Sequence, residues 1–322
     1  MKKIAVLLFC FASSLPAQTK NPFMFLLPLG YEFSRLEGLA FHSPAVGAGF
    51  LSGEMDLPFT EVERRFFCLA LYQPLIFTKA PYPDMPECIH QIDALFDGRI
   101  NRHQLLFIFK SAADRPVSGD LKTFQTGAGW GYEVIRQPNV SLILGAVLGV
   151  SDFGVTLPSG EPFPVLPLPL IRFGFDTKWF TSSFDFITGP NLEFTIAPKE
   201  RIRFTADMRM DYYRSIADLN CEYTLWYRLF AADHKLGDFA GIGAGFKNET
   251  VDFELSRETS GMQRGTFELR RTSIFAALDL SILNIQGGWV FDSAHLLDGK
   301  KTGSPGKGFY VSVQGMIPIF KR

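Results

Sequence analysis

Residues 201–213 read RIRFTADMRMDYY, and their side chains alternate between polar and apolar with almost no exception. Apolar groups occupy the even positions from Ile202 to Tyr212, whereas the odd positions, beginning with Arg201, are mostly charged. Successive side chains of a β-strand point to opposite faces, so a strand here would carry its apolar groups on one face and its charges on the other. The stretch therefore predicts a long amphipathic strand.

The same period-two alternation recurs along the chain, over stretches longer than an average strand. Other clear segments are 121–136, 140–150, 182–197 and 217–230. In 182–197 the alternation continues across Gly189-Pro190, so we interpret this segment as one strand with a bulge. Weaker examples lie at 45–57, 63–76, 103–111, 166–178, 238–248, 250–257, 266–280, 283–291 and 308–320. Together these segments predict an all-β fold with about 12–14 strands.

The composition of the 322 residues supports β structure and limits the classes of function. Hydrophobic residues make up 47% of the chain, so it can bury a sizeable core and is not disordered. Its 33 Phe and 29 Gly residues are typical of β structure with tight turns. The formal charge is −1 at pH 7, and no basic stripe is visible. Nucleic acid is therefore not an expected partner.

The first 18 residues, MKKIAVLLFCFASSLPAQ, have the pattern of a cleavable export signal. Lys2 and Lys3 form the positive end, residues 4–12 form an apolar run, and small residues precede the expected cleavage site. We therefore expect a signal peptide at 1–18, an N-terminal segment at 19–44 and one β domain at 45–322.

Alternation alone does not decide whether the apolar faces meet a core or lipid. After the export signal, no segment offers 18 consecutive apolar residues, which excludes helical membrane spans. Predicted strands such as 201–213 are long enough for the roughly 9–11 residues that a tilted strand needs to cross a bilayer. The polar faces carry ionisable groups of both signs, as a wet or salt-bridged lumen allows. These features favour a transmembrane antiparallel β-barrel over a secreted soluble β-sandwich.

The last predicted strand adds a family pattern to the export signal and the amphipathic strands. Residues 309–320, FYVSVQGMIPIF, finish on an aromatic, although Lys321 and Arg322 follow it. The chain thereby resembles the outer-membrane β-barrels of double-membraned bacteria. The resemblance implies residence in the outer membrane, contact with outer-membrane lipid and recognition of the terminal strand by the barrel-insertion machinery. In such a barrel, 19–44 is expected to be a periplasmic segment, a plug or an extra strand.

Amphipathic aromatic side chains mark the expected interfaces of such a barrel with the bilayer. We expect interfacial girdles to include Trp130, Tyr132, Trp179, Tyr223, Tyr227 and Trp289.

The segment 77–102 interrupts an otherwise regular succession of long and short connections. It contains three prolines and a predicted short helix around 88–96. Our hypothesis is that either this segment or the residues before 45 could fill the lumen as a plug. A disulfide between Cys68 and Cys88 is compatible with the sequence. The favoured alternative is that Cys68 and Cys221 are ordinary apolar residues on strand faces.

The strongest cluster of charged residues lies on the polar faces of 201–211 and 218–228, which are predicted to be adjoining strands. Such a mixed ladder could line a pore and select solutes by charge. The alternative, a salt-bridge network that stiffens the lumen, is favoured because neither sign predominates. The candidate lumen-lining residues are Arg201, Arg203, Asp207, Arg209, Asp211, Asp218, Glu222 and Arg228.

The sequence contains no recognised motif for chemistry. It has no Gly-x-Ser-x-Gly, His-Glu-x-x-His or Cys-x-x-Cys, and its five histidines form no evident dyad. The glycine runs at 127–131 and 241–245 continue period-two strands, which favours close packing over phosphate binding. We therefore expect no enzyme, no catalytic residues, no metal site and no cofactor.

The expected function is a passive channel or transporter for a small solute. One alternative is an adhesin-like barrel that acts through the loops 258–265 and 292–307. Less favoured alternatives are a barrel lipid hydrolase or a barrel protease.

Overall fold

The structure is a computed structural model. It describes residues 23–52, 64–80, 85–116, 121, 123–151, 157–160, 163–186, 190–210, 219–230, 240–255, 265–280, 282–297 and 300–320. None of these residues belongs to a helix, and accordingly no described helix is long and apolar enough to span a membrane. The predicted signal peptide at 1–18 lies outside the described residues.

The described residues form 18 strand segments. In chain order they are β1 (Phe23–Leu36), β2 (Ala40–Ser52), β3 (Arg64–Tyr72), β4 (Leu75–Lys79), β5 (Cys88–Ile100), β6 (His103–Ala113), β7 (Phe124–Gln137), β8 (Val140–Val150), β9 (Val165–Asp176), β10 (Phe180–Phe186), β11 (Pro190–Ile196), β12 (Ile202–Met210), β13 (Leu219–Phe230), β14 (Ala240–Leu255), β15 (Gly265–Asp279), β16 (Leu283–Leu297), β17 (Lys300–Gly303) and β18 (Gly308–Phe320).

These strands close into a ring in which neighbours pair antiparallel, and β18 pairs with β1 along almost its full length. β3 and β4 share one position between β2 and β5, because Gln73-Pro74 interrupts the strand and proline has no N–H to donate. β17 pairs only with the end of β16. Within the described residues, the chain is therefore a closed antiparallel barrel of 16 strands with no free edge.

The barrel predicted from the sequence is confirmed, but its ring has more strands than the predicted 12–14. β1 and β5 lie in segments to which the alternation assigns no strand. β10 and β11 form a hairpin where one bulged strand was predicted. Even residues pair with even residues in this hairpin, as in Phe184 with Leu192, so the alternation keeps one phase across the turn. Conversely, the described parts of the two strands predicted at 238–248 and 250–257 form the single strand β14.

The plug predicted at 77–102 or before residue 45 is wrong for the described parts of both segments, because they lie in the barrel wall. β1 pairs with β2 and β18, and β5 pairs with β3 and β6. The predicted helix around 88–96 is thus part of β5. Its alternation is obscured because Ile89 and Leu95 place apolar side chains on the lumen side, where they join buried clusters. The wall therefore begins before residue 45.

The connections lie alternately at the two ends of the barrel. One end, here called the loop end, carries the connections at 37–39, 80–87, 114–123, 151–164 and 298–307, the last of which includes β17. The opposite end, here called the turn end, carries the connections at 101–102, 138–139, 177–179 and 280–282, and also the longer segments 53–63 and 231–239. Phe23 and Phe320 both lie at the turn end, which is the arrangement expected for a barrel with an even number of strands.

The two faces of the wall have the opposite polarity to those of a soluble protein. Leu148, Ile202 and Leu225 point outward and are 58%, 56% and 57% exposed. Polar side chains such as Gln104, Thr224 and Arg271 point inward and are 1%, 1% and 3% exposed. The outer face therefore offers an apolar belt to its surroundings, as a lipid-facing surface does.

Cysteine positions agree with the interpretation that the sequence favoured. Cys68, Cys88 and Cys221 are all free thiols. Cys68 and Cys221 lie on the outward faces of β3 and β13, opposite Phe50 and Met208. The predicted alternative of a Cys68–Cys88 disulfide is not formed.

Candidate functional site

A septum divides the lumen at the loop end. The backbones of Ala113 on β6 and Glu254 on β14 pair with each other, although seven ring strands separate them in either direction. Beside this pair, the rings of Phe77 and Phe253 from β4 and β14 lie 6.3 Å apart. A circular ring of this size would be about 30 Å across, given strands spaced about 4.8 Å apart and tilted by about 40°. Opposite walls have therefore collapsed onto each other, which leaves two lobes.

The first lobe, bounded by β14–β18 and β1–β6, is packed with apolar side chains. Phe41, Phe253, Phe267 and Tyr310 are all at most 2% exposed, and the rings of Phe253 and Phe267 lie 4.9 Å apart. Interior aromatic packing of this kind leaves no space for solute. This lobe is therefore a core inside the barrel.

A buried ionic cluster lies within the same lobe. Arg271 on β15 pairs with Glu249 on β14 and with Glu32 on β1, the latter at 2.9 Å. Arg271 also donates a hydrogen bond of 3.0 Å to the Ser34 hydroxyl, and Lys247 pairs with Glu249. The two cations are thus matched by two carboxylates, as buried charges require. The cluster ties β14 and β15 to β1 across the closing strands of the ring.

The second lobe is bounded by the consecutive strands from β6 to β14. It has a polar wall that stays accessible to water. The lumen-facing side chains of β10–β12 are all half-buried rather than buried. The register of β9–β13 identifies these lumen-facing side chains, because a residue that points inward pairs with inward-pointing residues on the neighbouring strands. They are Thr181, Ser183, Asp185, Asn191, Glu193, Thr195, Arg203, Thr205, Asp207 and Arg209.

Half of the charged ladder predicted from the sequence lies on or beside this wall: Arg203, Asp207, Arg209 and Glu222. Arg209 Nη2 is 2.6 Å from Asp207 Oδ2 and 3.7 Å from Glu193 Oε1. Arg203 stacks on the Trp226 ring, with its Cζ atom 5.6 Å from the centroid. Glu222 on β13 lies opposite Asp207, and the next strand places Lys247 opposite Glu222. The wall therefore carries alternating signs rather than one predominant charge.

The remaining predicted ladder residues have other positions. Arg228 faces inward near the turn end and donates hydrogen bonds to the backbone carbonyls of Lys199 and Pro198, at 3.3 and 3.4 Å. Arg201 lies at the turn-end rim rather than in the lumen, exposed and with its Cζ atom 5.7 Å from the Tyr227 ring centroid. Asp211 and Asp218 lie outside the described residues.

A second ionic bridge, which the sequence did not predict, crosses this lobe. Arg172 on β9 pairs with Asp185 on β10 at 2.7 Å and with Asp97 on β5. Gln104 on β6 donates a hydrogen bond of 2.7 Å to Asp97. Because β6, β7 and β8 separate β5 from β9, the wall must fold inward for this contact. Arg172 and Asp97 meet only because the wall folds inward, so no local pattern in the sequence marks the bridge.

Inward-facing glycines make room for large side chains in the lumen. Glycines 127, 129 and 131 of β7 face an apolar cluster that includes Val147 and Leu170. In β14, the Trp226 ring lies over Gly243, where an added Cβ would come within 2.7 Å of it. Both glycine runs noted in the sequence are therefore strand segments with close packing, as predicted.

Comparisons with known proteins find resemblance only among solved structures. No protein-family model and no curated protein matches the chain. Solved structures that it resembles include OccAB4 of Acinetobacter baumannii, at 8% identity, a TM-score of 0.39 and coverage of 94% of this chain and 100% of that one. A mutant of the Rh. blastica porin matches at 10% identity and a TM-score of 0.42, with coverage of 92% and 99%. The outer membrane protein OprD of Pseudomonas aeruginosa matches at 10% identity and a TM-score of 0.38, with coverage of 94% and 96%.

The fold is established by this chain's own geometry. The closed antiparallel ring and the outward apolar belt make the protein a β-barrel whose outer face is suited to lipid, as its sequence predicted.

Proposed function

We propose that this protein is an outer-membrane channel that passes small polar or charged solutes through the second lobe of its lumen. The observation that supports the proposal most strongly is the polar wall of β10–β12, whose lumen-facing side chains all stay accessible to water. The first lobe is filled with apolar groups, so the route uses only part of the barrel's width. A narrow route favours small solutes over large ones.

The charges along the route suggest how solutes would be sorted. Carboxylates of Asp185, Glu193 and Asp207 lie beside the guanidinium groups of Arg172 and Arg209. Rings of charged side chains set the selectivity of many pores, and paired charges of both signs weaken a preference for either. We therefore expect modest selectivity in the native channel, with Arg209 as the group that repels cations most effectively from the β10–β12 wall.

Single-channel recording in planar bilayers tests this function. The purified protein should give discrete conductance steps, and Arg209→Met should raise the ratio of cation to anion permeability. Met208 lies next to Arg209 but faces outward, so Met208→Leu is a matched control that should leave this ratio unchanged. Absence of conductance steps from protein that migrates as a folded barrel would overturn the proposal.

We also propose how the protein reaches its membrane. Residues 1–18 would direct export, and the barrel-insertion machinery would recognise the last strand, β18. The outward residues of β18 include Val311, Ile317 and Ile319, which are 43%, 46% and 51% exposed. Outer-membrane lipid would cover them. No chemistry or cofactor enters this proposal.

A further inference from the structure

Basic side chains recur at successive turns along one part of the turn end. They lie in or next to the connections β5–β6, β7–β8, β9–β10 and β11–β12, and every one of them is exposed. They are Arg102, Arg136, Lys178, Lys199 and Arg201.

Two of these cations lie beside exposed aromatic rings on the outer face. Lys178 Nζ lies 5.0 Å from the centroid of the Trp179 ring, and the Arg201 guanidinium lies over Tyr227. Trp179 and Tyr227 are 58% and 41% exposed. Arg102 precedes His103, whose ring stacks on Trp130. Tryptophan and tyrosine at this depth are typical of the interface between hydrocarbon and headgroups.

Acidic residues at the same rim are fewer than the basic ones. Glu133 points inward and meets Arg136 at 3.4 Å, whereas Asp176 and Glu200 are exposed. In the described parts of these turns, five exposed cations therefore outnumber two exposed acids. The rim carries an excess of positive charge at headgroup depth.

We propose that this basic and aromatic rim binds the headgroups of anionic phospholipids in the leaflet at the turn end. A phosphodiester would accept hydrogen bonds from the lysine and arginine side chains while the acyl chains lie against the apolar belt. The inference rests on the membrane placement in the proposed function, and it does not depend on conductance.

Native mass spectrometry of the detergent-solubilised full chain tests this inference, with phosphatidylglycerol and phosphatidylcholine as probes. The native protein should bind phosphatidylglycerol more tightly, because each cation near a headgroup layer contributes about fivefold to affinity for anionic lipid. The triple variant Lys178→Gln, Lys199→Gln, Arg201→Gln should lose at least tenfold in affinity for phosphatidylglycerol and little for phosphatidylcholine. The matched control is Lys300→Gln, Lys301→Gln, which removes two exposed cations at the loop end and should retain the preference.

Each alternative result has a distinct meaning. Equal binding of both lipids by the native protein would overturn the inference and leave the membrane placement intact. Loss of the preference in the loop-end control as well as the triple variant would also overturn it, because the effect would then be one of net charge. Binding of neither lipid would contradict the membrane placement itself. Displacement of phosphatidylglycerol by millimolar inorganic phosphate would identify a site for free phosphate instead of lipid.

Discussion

Arg172 on β9 forms an ion pair with Asp97 on β5, 75 residues earlier in the chain and four positions away around the ring. The same guanidinium bonds Asp185 at 2.7 Å, so one cation holds two carboxylates from different parts of the wall. The contact draws the wall inward and sets the shape of the second lobe.

Removal of this cation should destabilise the barrel strongly. Arg172→Met would leave the buried Asp97 and the half-buried Asp185 without their shared partner. Removal of one partner from a buried ion pair typically costs about 3–5 kcal/mol. Arg136→Met is the control, because the Arg136 side chain is 43% exposed and its pair with Glu133 should contribute less than about 1 kcal/mol. Urea unfolding in lipid vesicles measures both. Equal stability of the two variants would show that the bridge does not hold the wall.

Loosening the septum should widen the conducting route. Phe253→Ala removes a fully buried ring that contacts Phe77 and Phe267, so we expect a loss of about 3–5 kcal/mol in stability and a larger single-channel conductance. Phe246→Ala, on the outward face of the same strand, removes a ring of equal size away from the lumen. It should leave the conductance unchanged. A conductance that stays at the native value in Phe253→Ala would mean that the septum does not limit the route.

Adding a charge to the outward face should destabilise the barrel more than removing a charge from the lumen face. Met208→Arg places a cation against lipid and should cost roughly 2–4 kcal/mol if it lies near the bilayer midplane. Arg209→Met, one residue later on the lumen face, removes the partner of the Asp207 and Glu193 carboxylates, whose side chains are 26% and 20% exposed. Because water can solvate both carboxylates, this variant should disturb folding less. Equilibrium folding into vesicles compares the two variants, and equal tolerance at both positions would contradict the assignment of faces.

Replacing a glycine that packs under an aromatic ring should destabilise the barrel, whereas replacing a glycine on the outer face should not. At Gly243 an added methyl group would meet the Trp226 ring at 2.7 Å, so Gly243→Ala should cost about 1–3 kcal/mol. At Gly287 the nearest atom is the Tyr310 carbonyl oxygen at 3.9 Å, so Gly287→Ala should be neutral or slightly stabilising. Thermal unfolding of the two variants provides the comparison. A neutral Gly243→Ala would show that Trp226 can move away from the strand.

The sequence predicts the barrel well because side-chain direction in a strand is a local property. The alternation in 201–213 correctly assigns Phe204 and Met208 to the outer face and Arg203 and Arg209 to the lumen side. It fails where apolar side chains interrupt the polar face, as Ile89 and Leu95 do in β5, and where a hairpin preserves the phase, as in β10–β11. These two failures account for most of the missing strands.

The arrangement inside the lumen is much harder to predict, because it depends on contacts between distant parts of the chain. Glu193 is the partner of Arg209 but lies in the segment interpreted as one bulged strand, so nothing placed it opposite Asp207. The septum joins Phe77 to Phe253, two ordinary members of a Phe-rich sequence. Periodicity shows which side chains face inward, but it does not show which of them meet across the barrel.

The water-filled route along β10–β12 can be tested most directly by cysteine substitution at two adjacent serines. Ser183 faces the lumen opposite Glu193, whereas Ser182 faces outward opposite Phe194. In a background with Cys68, Cys88 and Cys221 replaced by serine, each serine would be changed to cysteine, and single channels would be exposed to a charged, water-soluble methanethiosulfonate. We predict that Ser183→Cys channels are blocked and Ser182→Cys channels are not. Unchanged conductance in Ser183→Cys, or equal block at both positions, would contradict the route.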